Sequence, residues 1–404
     1  MAKPDVIVDW NAIAAQNMSG GNPLPHAREF SVLHVAMYDA VVSITGDYQP
    51  YRFAVRASPH ASAEAAAITA AHDVLVWFHP TNVANFDTQY AKHLNAIRDG
   101  WAKTEGVLVG RRVAAAVLAA RSDDGFNAPP PNIADGILPY QWRRTPPAFA
   151  DPLLPQFANV RPWVIRNAAQ FLPKPPPKLE SRRYARDFQE VKTVGSVNSD
   201  SPQDRKDLAL FHLLSHAVFW NDVARQLSAE QSTGVSKSAR IFAALNVAIM
   251  DAYIGAWHAK WNVYFNWRPV HAIRLADTDD NNHTEADPGW ESLQPAGPHP
   301  TYPSGHAVGS GAAFYVLKKY FGNYGHSLNL TSPATAPGIT LKYCSLRAVV
   351  EDVHDARVYL GVHFRFDLEA GDRQGMETAR FVLQNTFRSC GRDDDASDAE
   401  EWEP

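Results

Sequence analysis

The stretch EFSVLHVAMYDAVVSIT, residues 29–45, sets Phe30, Leu33, Val35, Met37, Val41 and Ile44 largely on one face of a helix. Its central octet, LHVAMYDA at 33–40, returns as LNVAIMDA at 245–252, with Leu, Val, Ala, Asp and Ala in the same places. Helical stretches surround both copies. Before residue 129 they cover 62–79, which is alanine-rich and stops at His79-Pro80, then 85–98 and 106–122. After residue 200 they cover 203–220, 237–260, 305–322, 342–361 and 367–388, and no long stretch alternates as a strand would. An octet echoed between two helix-rich halves predicts an all-α protein built from two related helical bundles.

The expected organisation is one large all-helical unit over residues 1–404. Its N-terminal helical half is 1–128. A connector at 129–200 carries PPP at 129–131 and 175–177 and PP at 146–147. A stretch that long without periodicity is a linker or an irregular wrap. Leu153, Phe157, Trp163, Val164, Ile165, Phe171 and Leu172 give it the apolar surface of a wrap. The C-terminal bundle covers 201–390, and 391–404 is an acidic tail expected to be disordered.

Composition narrows the class further. A hydrophobic fraction of 45% and a charged fraction of 20% are those of an ordinary globular chain. A net charge of -5 argues against a nucleic-acid binder. No apolar run approaches the roughly 20 residues that a membrane span needs. The opening MAKPDVIVDWNAIAAQN lacks the apolar core of a signal peptide, which a mature exported form would lack too. Two cysteines, Cys344 and Cys390, could pair but make neither a disulfide scaffold nor a thiolate metal site.

Three C-terminal segments carry chemistry: Lys260-WNVYFNW-Arg268-Pro269, His299-PTY-Pro303-Ser304-Gly305-His306, and Arg357-VYLGV-His363-FRF-Asp367. They supply three fixed cations, two or three imidazoles and a turn of small residues, a set suited to a tetrahedral oxyanion. Arginine's planar fork grips two oxygens at once. Pro303 reads as the opening of a helix whose first amides, with the Ser304 hydroxyl, point at an anion that Gly305 lets come close. Arg357 and His363 are six positions apart, on different faces of a straight helix, and Gly361 between them can end that helix and let His363 turn back to the same pocket. Each piece alone has an ordinary reading. Lys260 and Arg268 could be solvated helix-end charges, His299 a loop histidine and His363 a packed one. Together in this order they are not explained by packing.

These segments resemble the superfamily of vanadium haloperoxidases and type-2 phosphatidic acid phosphatases, and within it the haloperoxidase branch. The resemblance runs through most of 203–385, including Ile241-Phe242-Ala243-Ala244-Leu245-Asn246, Trp267-Arg268-Pro269 and His363-Phe364-Arg365-Phe366-Asp367. Asp9-Trp10-Asn11 and the His34–Asp39 helix fit it less specifically. It implies vanadate as cofactor, with phosphate able to take its place. Lys260, Arg268 and Arg357 would hold equatorial oxygens with Ser304 and the Gly305 amide. His363 would be the metal ligand, and His306 the acid–base group at the apical oxygen. The implied reaction oxidises halide with hydrogen peroxide to hypohalous acid, which halogenates a small organic substrate, with Lys260 polarising the oxidant. The long step from Lys260 to Arg268, and His299 five before Ser304, resemble algal bromoperoxidases and imply bromide and iodide as substrates. Nucleic acid and membrane are not among the implied partners; self-association and export stay open.

Rival readings remain. An acid phosphatase would use the same cage, with His363 attacking phosphorus and His306 protonating the leaving alcohol. Ala356, where those phosphatases usually have serine, weighs against it. A Ser304 hydrolase lacks the G-x-S-x-G context. A zinc site from His299, His306, His354 and His363 lacks zinc-ligand spacing. A non-catalytic anion-binding module would have no use for His306.

Overall fold

The computed structural model describes residues 5–390, so the acidic tail lies outside the described residues. The chain opens with α1 (Val6–Asn17), α2 (Pro23–Thr45), α3 (Ala63–Phe78), α4 (Val83–Asn95) and α5 (Trp101–Arg121). After the connector come α6 (Arg182–Val194), α7 (Gln203–Phe211), α8 (His216–Gln231) and α9 (Val235–His258). The last runs on as a π turn to Tyr264. Then follow α10 (Pro269–Arg274), α11 (Gly305–Phe321), β1 (Tyr324–Ser332), β2 (Ala336–Ser345), α12 (Leu346–Tyr359) and α13 (Arg365–Asn385).

The echoed octets lie on α2 and α9, two central helices that pack on each other with almost every side chain buried. The matched aspartates do the same work in both. Asp39 accepts the backbone N–H groups of Tyr51, Arg52 and Phe53 at 2.7, 3.0 and 2.6 Å. Asp251 accepts those of Trp163, Val164 and Ile165 at 2.7, 2.7 and 2.9 Å. Each buried carboxylate thus satisfies three consecutive N–H groups of a segment that lies outside any helix or sheet. Trp10-Asn11 on α1 matches Trp220-Asn221 on α8, and the two asparagines hydrogen-bond to each other at 2.7 Å. Outside the central helices the pairing repeats as well. Gly106 and Gly110 let α5 lie on Ser62 and Ala66, as Gly371 and Gly375 let α13 lie on Ser304 and Val308. At each of the four a Cβ would come within 2.1–2.7 Å of a carbonyl oxygen. The protein is two related helical bundles.

The connector wraps rather than links. Trp142, Phe157, Trp163 and Ile165 are buried, while Leu172 stays at the surface. It also pins segments that later form the site: Trp142 N–H donates to the Phe265 carbonyl at 2.7 Å and Leu153 N–H to that of Pro298 at 2.9 Å.

Three expectations need correction. A β-hairpin stands between α11 and α12, pairing Leu328 with Tyr343 and Leu330 with Leu341. Residues 342–345, expected to open a helix, are its last strand residues; Ser345 then caps α12 through its hydroxyl. The helix expected over 203–220 breaks at 212–215, where Ser215 becomes the N-cap of α8. And Val235–Tyr264 is long and apolar enough to cross a membrane, but 94% of its most apolar stretch is buried inside the bundles. Cys344 and Cys390 are both exposed and unpaired.

Candidate oxyanion site

Lys260 comes from the π turn, whose wider winding follows the end of α9, and its side chain is fully buried. Its Nζ donates to the carbonyls of Pro300 and Thr301 at 2.5 and 2.9 Å, on the segment leading into the Pro303-Ser304 turn. Arg268, N-cap of α10, is 1% exposed and ties three segments together. Its Nε donates to the His299 carbonyl at 2.8 Å and its Nη1 to the Val362 carbonyl at 2.8 Å. The same Nη1 lies 3.1 Å from His363 Nε2, and Nη2 lies 3.0 Å from both ring nitrogens of His299.

Arg357 lies in the last turn of α12, and Gly361 ends that helix as its spacing allowed. Gly361 has φ +75°, and its N–H donates to the Val358 carbonyl at 2.8 Å while Val362 N–H reaches that of Arg357. A Cβ there would also lie 2.2 Å from the Gly195 carbonyl oxygen. The reversal delivers His363 to Arg268. Arg357 keeps only a 3.5 Å bond from Nη1 to the His212 carbonyl, and its buried Nε has no partner.

Ser304 is the N-cap of α11, one residue after Pro303 rather than with Pro303 inside the helix. Such a serine ordinarily caps with its hydroxyl. Here the side chain makes no cap bond, is fully buried and has no partner. Gly305 follows at the first helical position, where the amide has no intrahelical acceptor. A Cβ at Gly305 would sit 3.1 Å from the Trp257 ring, so glycine allows the helix start to lie flat against that indole.

The electrostatics favour an anion. Burial, then the charge of Arg268, holds Lys260 well below its ordinary range. Burial lowers Arg268 to about 10, and burial with Arg268 nearby lowers Arg357 to about 9. All three side chains are thus kept in a place that penalises their charge. Among the described residues the carboxylate set against Lys260 and Arg268 is Asp367, which leaves the group positive in excess. His363 Nδ1 sits 2.9 Å from Asp367 Oδ2 and 3.1 Å from Thr301 Oγ1, while Thr301 donates its hydroxyl to the same carboxylate at 2.5 Å. The ring hydrogen therefore belongs on Nδ1, and the Nε2 lone pair, which accepts from Arg268 Nη1 at 3.1 Å, is the ring's one site for a Lewis acid. His306 and His299 are the half-exposed members. Burial and then Arg357 hold His306 well below its ordinary value, and burial, Arg268 and Lys260 do so for His299.

Residues 240–391 match the model of the VCPO second helical-bundle domain. Over 206 residues the chain is 28% identical to vanadium chloroperoxidase of Curvularia inaequalis, an alignment covering 38% of this chain and 33% of that protein. Residues 240–391, which carry every candidate site residue from Lys260 to His363, are thus similar to the VCPO second helical-bundle domain. The chain spans about a third of the curated relative that it matches. Among solved structures, the first bacterial vanadium-dependent iodoperoxidase superposes with a TM-score of 0.81 over 96% of both chains, at 22% identity. The holo-type bacterial vanadium-dependent chloroperoxidase does so at 0.71 over 95% of this chain and 93% of that one, at 19% identity. At those identities the superpositions speak for the fold.

The structure brings Lys260, Arg268, His299 and His363 into direct contact or one shared backbone segment, and Arg357, Ser304, Gly305 and His306 border them. His354 does not join them: among the described residues no three His, Cys, Asp or Glu side chains are grouped to hold a metal ion. Sequence reasoning passed over three supports. Asp367 entered only as the end of a motif, although its place four after His363 at a helix start allows it to hold the ring. Thr301 and Trp257 were missed outright. Trp257, three before Lys260, faces Gly305 and lies against His299 with ring centroids 5.0 Å apart and planes tilted by 42°.

Proposed function

We propose that this chain is a vanadate-dependent haloperoxidase that uses hydrogen peroxide to oxidise bromide and iodide to hypohalous acid, which halogenates small organic substrates. The observation that carries the reading is a buried excess of positive charge near an orphaned Ser304 hydroxyl, with the His363 Nε2 lone pair turned toward Arg268. These are donors and one lone pair awaiting an oxyanion with a Lewis-acid centre. Vanadate fits that set: Lys260, Arg268 and Arg357 would neutralise its oxygens, Ser304 and the Gly305 amide would donate to them, and His363 would bind the metal. Bound there, vanadate supplies Lewis-acid activation of peroxide without a change in oxidation state. His306, held neutral, takes a proton from incoming peroxide and returns it to the departing oxygen. Lys260, fixed by two carbonyls, presents a positive charge to the oxidant. The fit of phosphate to the same donors follows from its shape and charge.

Dialysed protein given vanadate, bromide, peroxide and a halogen-trapping dye should brominate the dye only when all are present. Hydrolysis of a phosphate monoester without any bromination would instead assign the cage to phosphoryl transfer.

Halide preference falls to His299 in this reading. Its Nδ1 is 3.1 Å from the Pro300 carbonyl, which can only accept, so Nε2 takes the Arg268 hydrogen and the ring is neutral. Burial, Arg268 and Lys260 hold its protonation well below the ordinary imidazole range. His299→Phe should therefore alter the ratio of bromide to iodide turnover, with vanadate affinity changed less than about threefold, because Arg268 keeps its bonds to the His299 and Val362 carbonyls. Halide-dependent rates and vanadate binding for both proteins check this, and an unchanged halide profile makes His299 a scaffold residue.

A further inference from the structure

Three histidines hold α4 and its approach to the N-terminal bundle, and two of them face an acceptor on each ring nitrogen. His72 on α3 places Nδ1 2.9 Å from Asp73 Oδ1 and Nε2 2.8 Å from Asp87 Oδ1 on α4. His93, in the last turn of α4, places Nδ1 2.8 Å from the Gln89 carbonyl oxygen and Nε2 3.5 Å from Asp9 Oδ2 on α1. A carbonyl and an ionised carboxylate only accept, and a neutral imidazole has one N–H to give. Each ring therefore suits both of its partners only as imidazolium. Once a proton is lost, a bare lone pair faces an oxygen. His79, the C-cap of α3, adds a third pair just before α4, with Nε2 2.7 Å from Glu29 Oε1 on α2.

Little else fixes this helix. Phe86 is its one fully buried residue, and Tyr90 and Leu94 lie half-buried against the core. The hydroxyls of Tyr90 and Thr69 meet at 3.2 Å, and the N-cap Asn82 donates to Asn17. Even the ring packing runs through the same histidines, His72 on Tyr90 at 4.5 Å between centroids and His93 on Trp10 at 5.7 Å.

We infer that α4 is a pH-gated strap, closed on α1 and α3 while His72 and His93 are imidazolium and loosened when they become neutral. Burial opposes the charge of His72, but its bonds to Asp73 and Asp87 outweigh that and raise the ring above its ordinary value. Asp9 raises His93 against burial and Lys92, and Glu29 raises His79 against burial. His26, the other imidazole that His79 acts on, is lowered by burial and carries no charge in this range. A ring raised in the closed state stabilises that state fully below the ordinary value of about 6.5, and the contribution is lost as pH climbs through the raised value. The strap therefore loosens as pH rises, baring Phe86 and the α3 surface beneath it. None of these groups belongs to the oxyanion site, and the inference does not rest on the reaction proposed there.

Hydrogen–deuterium exchange of the whole chain without vanadate, corrected for the pH dependence of intrinsic exchange, tests it. Between about pH 6 and about pH 8, protection over α4 should fall roughly fivefold or more relative to α2, since each partly exposed ion pair contributes up to about fivefold. His72→Gln with His93→Gln keeps an N–H at each place but cannot titrate, and should give equal α4 protection at both pH values. Asp87→Asn and Asp9→Asn leave the rings in place; they should lower the NMR titration midpoints of His72 and His93 and flatten the exchange response. Both carboxylates are exposed, 61% and 41%, so these variants cover the case in which the glutamines disturb folding. Protection of α4 that tracks α2 at every pH, or a glutamine pair that keeps the response of the unaltered chain, overturns the strap.

Discussion

His363→Ala should abolish vanadate retention, while His306→Ala should keep vanadate and lose turnover. The two histidines are held differently. His363 is 1% exposed, with Nδ1 fixed by Asp367 and Thr301 and Nε2 turned to Arg268. It provides the one lone pair suited to a metal, so its loss should weaken vanadate binding by more than about a hundredfold; losing only an orienting partner, as in Asp367→Asn, typically costs about 10–100-fold. His306 is half-exposed and held by a ring contact with His216. Removing it takes away proton transfer and should lower the halogenation rate by roughly 10²–10⁴-fold with vanadate affinity nearly intact. Equilibrium dialysis with vanadate, run beside the rate assay, separates the outcomes. Equal loss of vanadate in both variants would mean that the roles are wrongly divided.

Asp251→Ala should destabilise the fold by about 3 kcal/mol or more, and Asp39→Ala by a similar amount. Each aspartate takes three buried or half-buried backbone N–H groups, and an orphaned buried donor costs about 1–3 kcal/mol. Water entering the space left by the carboxylate would recover part of that, which keeps the sum near the lower end. Denaturant unfolding of the two variants measures it. A loss under about 1 kcal/mol for either would remove the idea that the echoed aspartates are equivalent struts of two related bundles.

That duplication was legible because it sits in a buried helix pair, where both copies keep the same residues for the same backbone task. The hairpin was not, because the inward face of β1 carries only two apolar residues, Leu328 and Leu330, between buried His326 and Ser332. Two apolar positions give too short an alternation to stand against the helical run that follows. The break at 212–215 was hidden for a related reason: the apolar pattern crosses it unchanged, and only Ser215 marks the new helix start. In the site, arginine, lysine and the small-residue turn were legible from their chemistry. Trp257 was not, because an aromatic three residues before a lysine on a buried helix looks like core.

The central claim is that one cage holds vanadate and phosphate alike, and that turnover needs the former. Its most direct test is the rate of bromide oxidation against added vanadate at several fixed phosphate concentrations. The account predicts that half-saturating vanadate rises in proportion to phosphate while the maximal rate stays the same, since the two anions compete for Lys260, Arg268, Arg357 and Ser304. A vanadate curve that phosphate does not move at any concentration would contradict it.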